Sequence, residues 1–321
     1  MIQALVDWFE AGHRPLPWRD GYAPYHIWVS EVMLQQTQLD TVLPYYHRFL
    51  ERFPTIDELA GSGEEDVLRL WSGLGYYNRA RNFRAAAGIV VSRYDGRIPS
   101  CYDELMELPG IGRYMAGAIL SIAFNKPYPI VDGNVRRVLS RLYGWEEEWP
   151  KAVWDAAREF VRSGEPRIVN QALMELGATV CSPKAPQCLH CPWKSECVAF
   201  RLGIEEDIPA PRKRPKTVRV QLSAVIDQNR RGFLMQDSEG MWDFPTFSAL
   251  PSGSFEKIGS CRHSITHHRI EVDIYEGKLD TSTTYHRKAF DSLPVTSLTR
   301  KIQAVVEDPR RRDAKTQRRK K

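Results

Sequence analysis

A helical domain of about two hundred residues followed by a smaller α+β domain is the architecture this sequence predicts. Three observations carry that reading. Up to residue 207, apolar residues recur at helical spacing. From residue 218 to 305, polar and apolar residues alternate as they do along half-buried strands. Between them stands "IPAPRKRPKT", residues 208–217, whose three prolines and four basic residues favour an extended linker. At 321 residues and 42% hydrophobic, the chain is long enough to bury two cores.

The elements follow in order. "YHIWVSEVMLQQTQLDTVLPYYHRFLERF" reads as long amphipathic helix interrupted at Pro44. "GEEDVLRLWSGLGYYNRARNFRAAAGIVVSRY" reads as two helices broken at Gly73 and Gly75. "CYDELMELP" is a short helix ending at Pro109, and "LPGIGRYMAGAI" turns through Gly110 and Gly112 into the next one. Residues 104–120 therefore form helix, Gly-rich hairpin, helix. A dinucleotide fingerprint is excluded, because its third glycine position is Met115 and no strand precedes the loop. "VNQALMELGATVC" is a further helix that ends by delivering Cys181. In the second domain "TVRVQLSAVI" and "RIEVDIY" are strands, and "DQNRRG" is a hairpin turn before "FLMQ".

Charge is concentrated at the end of the chain. The last fifteen residues hold eight Arg or Lys and three acids, which is the whole net charge of +5. Residues 306–321 are thus predicted to form a basic tail without a core. The rest is formally neutral, so a nucleic-acid surface in the folded body has to be a local patch. No run of about 18 apolar residues is present to span a membrane. The first twenty residues lack a basic stretch followed by an apolar one, which predicts an intracellular protein.

Four groups of residues carry chemistry. Cys181, Cys188, Cys191 and Cys197, in "CSPKAPQCLHCPWKSEC", suit either a 4Fe–4S cluster or structural zinc. One C-x2-C pair flanked by single cysteines favours iron–sulfur, while His190 keeps zinc open. The hairpin offers the amides of Ile111, Gly112 and Arg113 to an anion, or else is an ordinary helix connection. In "VDGNVRRVL", Asp132 precedes a helix that Asn134 could cap. In "SEVMLQQTQLD", Glu31, Gln35 and Gln38 fall on one helical face, with amides crowding one carboxylate.

Together "LPGIGRY", "VDGNV" and the four-cysteine loop resemble the helix-hairpin-helix DNA glycosylase superfamily. "LPWR", "SEVMLQQTQ" and "GLGYYNRARN" narrow the resemblance to adenine DNA glycosylases of the MutY type. The likeness runs from about residue 8 to Cys197 and resumes, more weakly, from 218 to 305. It implies a monofunctional enzyme of base excision repair, acting as a monomer on double-stranded DNA with adenine mispaired with 8-oxoguanine or guanine. Endonuclease III-type relatives carry a Schiff-base lysine after "GIGR", whereas Tyr114 stands here and a phenol forms no imine. The resemblance makes Glu31 the general acid and Asp132 the charge beside the sugar. Asn134 then orients Asp132 or the water, and Tyr114 positions Asp132 or the sugar. Arg14, Trp18, Arg19 and Glu175 line the adenine pocket. Gln36 and Tyr76 are wedges beside the orphaned base, with Thr37 and Tyr77 as further DNA contacts. The second domain resembles the Nudix-like module that inspects 8-oxoguanine. Its Phe-Ser-His loop appears as Ile265, Thr266 and His267, of which Thr266 and His267 read the lesion. Rival readings are a mismatch thymine glycosylase and a silent DNA-binding or redox-sensing module. The location implied is the cytoplasm, with the nucleoid, and the basic tail leaves a nucleus open.

Overall fold

The computed structural model describes residues 1–146, 150–210, 215–279, 285–290 and 293–308. Part of the linker and all but the first residues of the basic tail lie outside these. The chain divides into two compact units, Met1–Ala60 with Ala85–Lys213, and Gly61–Arg84 with Arg214–Lys321. Residues 61–84, read above as part of the helical half, are thus grouped with the C-terminal residues.

The first unit is helical. Helices Ile2–Gly12, Gly133–Tyr143, Pro150–Arg162 and Pro166–Thr179 bury Leu5, Phe9, Val138, Leu139, Phe160, Leu173 and Leu176 in one cluster with Trp193. The indole of Trp193 donates to the carbonyl of Met1, which ties the cysteine loop to the start of the chain. Gly117 shows why a small residue stands after the hairpin: a Cβ there would lie 2.6 Å from the carbonyl of Pro129.

Helix Pro24–Leu34 corrects the amphipathic reading. Eight of its residues, Tyr25 and Ile27–Met33, are buried, so it is surrounded by protein rather than laid on a surface. The chain breaks at residues 35–38, not at Pro44, which sits inside helix Leu39–Arg52. Gln36 adopts a left-handed φ of 58° there.

In the second unit Val218–Ile226 pairs in parallel with His268–Gly277, which pairs antiparallel with Phe255–Ile265, and Thr246–Phe247 closes the other edge. The second sheet joins Gln228–Asn229, Gly232–Ser238, Met241–Asp243 and Tyr285–Lys288. Alternate residues of these strands, among them Ala224, Ile226, Phe233, Met235, Val272 and Ile274, form a core with Ile302 of helix Ser297–Val306. Thr296 caps that helix through its hydroxyl. The C-terminal unit is therefore α+β, as the alternation predicts.

Candidate active site

Glu31 is 5% exposed on the buried helix, where removal from water penalises its charged form. Burial pushes its carboxyl up to about 7, against the opposing hydrogen bond from Tyr114, and the charge of Asp132 adds to the rise. The Tyr114 hydroxyl donates to Glu31 Oε2 at 2.9 Å and lies 3.8 Å from Met174 Sδ. Tyr114 thus meets Glu31 directly, a contact the sequence did not point to, and also feels the charge of Asp132. The amides Gln35 and Gln38 flank helix ends, so the stripe they were read to share with Glu31 does not form.

Asp132 is the N-cap of helix Gly133–Tyr143, accepting from the Val135 N–H at 2.7 Å. Its other oxygen accepts from Asn134 Nδ2 at 2.9 Å. Asn134 thus orients Asp132 rather than capping the helix itself. Burial raises the Asp132 carboxyl above its ordinary value, while the hydrogen bonds from Val135 and Asn134 and the charge of Arg137 hold the rise in check. The two carboxyl groups interact from unlike settings. Glu31 is buried and met by one phenol, whereas Asp132 is half-buried and met by the Val135 and Asn134 backbone amides, the Asn134 side chain and the charge of Arg137.

Sequence reasoning missed Arg137. Its Nη2 donates to Asn134 Oδ1 at 2.9 Å and to the Gly177 carbonyl at 2.6 Å, and its Nε donates to the Cys181 carbonyl at 2.7 Å. The only signal was its place one turn after Asn134. Arg14 and Arg19 converge on Glu175, at 2.6 and 2.9 Å, and Arg19 also reaches Gln171 at 3.1 Å. Burial would raise the Glu175 carboxyl, but hydrogen bonds from both guanidinium groups bring it below the usual range. Trp18 is buried edge-on to Tyr46.

In the hairpin, Gly110 takes a φ of 78°, which a side chain would strain. Of the three amides read as offered to an anion, that of Ile111 is already spent on the Leu108 carbonyl. The Arg113 guanidinium stacks over Trp154. Gln36 and Tyr76 are both exposed and both left-handed, with φ of 58° and 49°. Thr37 bonds weakly to the Gln35 carbonyl, and the Tyr77 hydroxyl is directed at the Val295 carbonyl. Thr266 and His267 form the tight turn between Phe255–Ile265 and His268–Gly277, and the Thr266 hydroxyl donates to the Ile265 carbonyl at 2.8 Å.

Cys181, Cys191 and Cys197 pack against the helical core, and Arg141 Nη1 approaches Cys181 Sγ at 3.4 Å. The Cys197 thiol donates to the Arg141 carbonyl. Among the described residues no group of three or more His, Cys, Asp or Glu is set at ligand spacing for a metal ion. The donor set nonetheless fits a thiolate-held group, since the thiols of Cys181, Cys188, Cys191 and Cys197 lie within electrostatic reach of one another.

Residues 29–163 match the HhH-GPD superfamily of base excision DNA repair proteins. The adenine DNA glycosylase of Rattus norvegicus is 33% identical across 96% of this chain and 78% of its own length. The chain belongs to the adenine DNA glycosylase family. That of Buchnera aphidicola subsp. Baizongia pistaciae is 43% identical over 62% of this chain and 58% of its own. Among solved structures, a thermostable thymine-DNA glycosylase is similar at 27% identity and a TM-score of 0.58, covering 63% of this chain and 95% of that one.

In this family member Gly177 is where helix Pro166–Thr179 meets the Asp132 helix. A Cβ there would lie 2.6 Å from Asn134 Cβ and 3.0 Å from its backbone. Alanine favours a helix interior by about 1 kcal/mol, but overpacking costs roughly 1–3 kcal/mol, so the clash wins. Gly177→Ala is expected to melt several degrees lower and to release base more slowly. Calorimetry and single-turnover excision check this, and an unchanged melting temperature would refute it.

Proposed function

We propose that this chain is a monofunctional adenine DNA glycosylase of base excision repair. It hydrolyses the N-glycosidic bond of adenine opposite 8-oxoguanine or guanine in duplex DNA. One observation carries the reading: a buried carboxyl, Glu31, bonded to Tyr114 and with its charge disfavoured by burial, interacting with a second carboxylate, Asp132, held by donors.

Adenine leaves deoxyribose poorly until its ring is protonated. A carboxyl still protonated near neutral pH is suited to give that proton to N7, as the raised acid of a glycosidase gives one to its leaving oxygen. Asp132, ionised, then offsets the positive charge that builds on the sugar, and Asn134 keeps its oxygens aimed. No amine stands at position 114, so the strand is left intact. The target leaves the stack at a cost of about a few kcal/mol. Gln36 and Tyr76 are each read as a wedge for the gap, and Thr37 and Tyr77 as further DNA contacts. The amides of Gly112 and Arg113 hold a backbone phosphate, while Arg14, Trp18, Arg19 and Glu175 wall the base.

The α+β unit is read as a Nudix-like lesion reader, with Thr266 and His267 at its tip. Fold likeness to a thymine-DNA glycosylase is compatible with the rival specificity. The likeness to an adenine enzyme, however, extends over nearly the whole chain, and this supports adenine. Base release from duplexes pairing adenine with 8-oxoguanine, guanine or thymine, and thymine with guanine, tests the choice. Release of thymine alone would overturn it.

Cys181, Cys188, Cys191 and Cys197 are the residues that would hold a 4Fe–4S cluster, which when bound supplies a rigid brace for its loop. Anaerobically purified protein is expected to carry about four irons per chain and to absorb broadly in the visible. One zinc and no iron would contradict this.

A further inference from the structure

We propose that Arg300 is a positioning residue that, through Ser72, holds the 72–77 loop in the shape that presents Tyr76. The inference rests on Tyr76 being a DNA-facing wedge.

The loop is costly to hold. Gly73, Gly75 and Tyr76 all have positive φ, of 109°, 70° and 49°. At Tyr76 a bulky side chain occupies a region that suits glycine, so surrounding contacts must impose it. The ring at this strained point is 45% exposed. Burial therefore does not account for the shape.

Two arginines brace the loop. Arg79 does so locally, donating to the carbonyls of Leu74, Gly75 and Tyr76 and lying over the rings of Trp71 and Tyr76. Arg300 does so from the C-terminal helix. Ser72 is 3% exposed; its hydroxyl donates to the Val295 carbonyl and accepts from Arg300 Nε at 3.1 Å and Nη2 at 3.0 Å. Tyr77, at the loop's other end, is directed at the same Val295 carbonyl. Val295 is itself fixed: it bridges to Trp242, and its neighbour Thr296 bonds to Asp243. The loop is thereby gripped at both ends by the sheet and helix of the unit that carries Thr266. A hydroxyl bonded to a guanidinium and a carbonyl admits few alternative geometries.

Two measurements test this in the full-length protein. In free protein, Arg300→Met should speed hydrogen exchange of the amides of residues 73–77 about tenfold. Ser72→Ala should do the same, and Arg300→Lys should recover part of the protection. In complex, 2-aminopurine replaces the target adenine opposite 8-oxoguanine and brightens when it leaves the stack. Arg300→Met should cut that rise several-fold. Added to Tyr76→Ala, it should cause no further loss, because Arg300 acts through Tyr76. Unchanged exchange, or losses that add, would overturn the inference. If the unmutated protein leaves the probe stacked, the glycosylase reading fails instead, and the exchange arm still decides the clamp.

Discussion

Glu31→Gln is expected to abolish adenine release while mispair binding stays close to that of the parent. The amide keeps the shape and can still accept from Tyr114, but it has no acidic proton to give. General acid catalysis contributes roughly 10²–10⁴-fold, so loss of that order in single-turnover rate is the expected result. Substantial turnover would remove Glu31 from the role. In the parent, the rate should fall as pH rises through about 7, as the acid is lost. The same substitution should alter stability in the opposite sense. A carboxyl with a folded-state pKa above its ordinary 4.5 holds its proton more tightly when folded. Its stabilising contribution is complete below that value and is lost as pH rises through about 7. At pH 8 the parent therefore buries a charge at a cost on the order of 3 kcal/mol, which Gln does not bear. The variant should melt higher than the parent at pH 8, and the gap should close towards pH 5.

Asp132→Asn is expected to lower the rate by at least about 10²-fold without unfolding the site. Asp132 also begins a helix, so Ala would confound the experiment by about 1 kcal/mol of lost cap. Asparagine caps as well as aspartate does, so the helix start is kept while the charge is removed, together with the acceptor that meets the Asn134 side chain. Burial holds the Asp132 carboxyl above its usual value. The parent's rate should therefore also fall at acid pH, giving a bell whose acid limb disappears in this variant. Unaltered circular dichroism with a lost rate assigns the effect to the carboxylate rather than to the fold. A rate within a few-fold of the parent would refute the assignment.

The sequence told much about chemistry and less about placement. The motifs around Glu31, Asp132 and the cysteines lie on short contiguous stretches, where local spacing is informative. Helix Pro24–Leu34 was misread because buried helices lose the polar face that periodicity detects. The bond from Tyr114 to Glu31 went unforeseen because eighty-three residues separate the two, and spacing is silent at that range. Arg137 was overlooked for the same reason: its contacts at Gly177 and Cys181 come from another helix and a distant loop. The strands were legible because alternation is local, whereas the parallel pairing of Val218–Ile226 with His268–Gly277 is a long-range choice.

The grouping of Gly61–Arg84 with the C-terminal residues bears on how truncations of this enzyme are interpreted. A fragment cut at the proline-rich segment would contain every residue proposed for chemistry and would look, on paper, like a self-sufficient module. It would also strip Ser72 of Arg300 and Val295, and Arg81 of its bond to the Glu239 carbonyl. Slower repair by such a fragment would then report two deletions at once, the missing reader and a maimed catalytic half. Point substitutions at Thr266 and His267 separate the two; the modular cut does not.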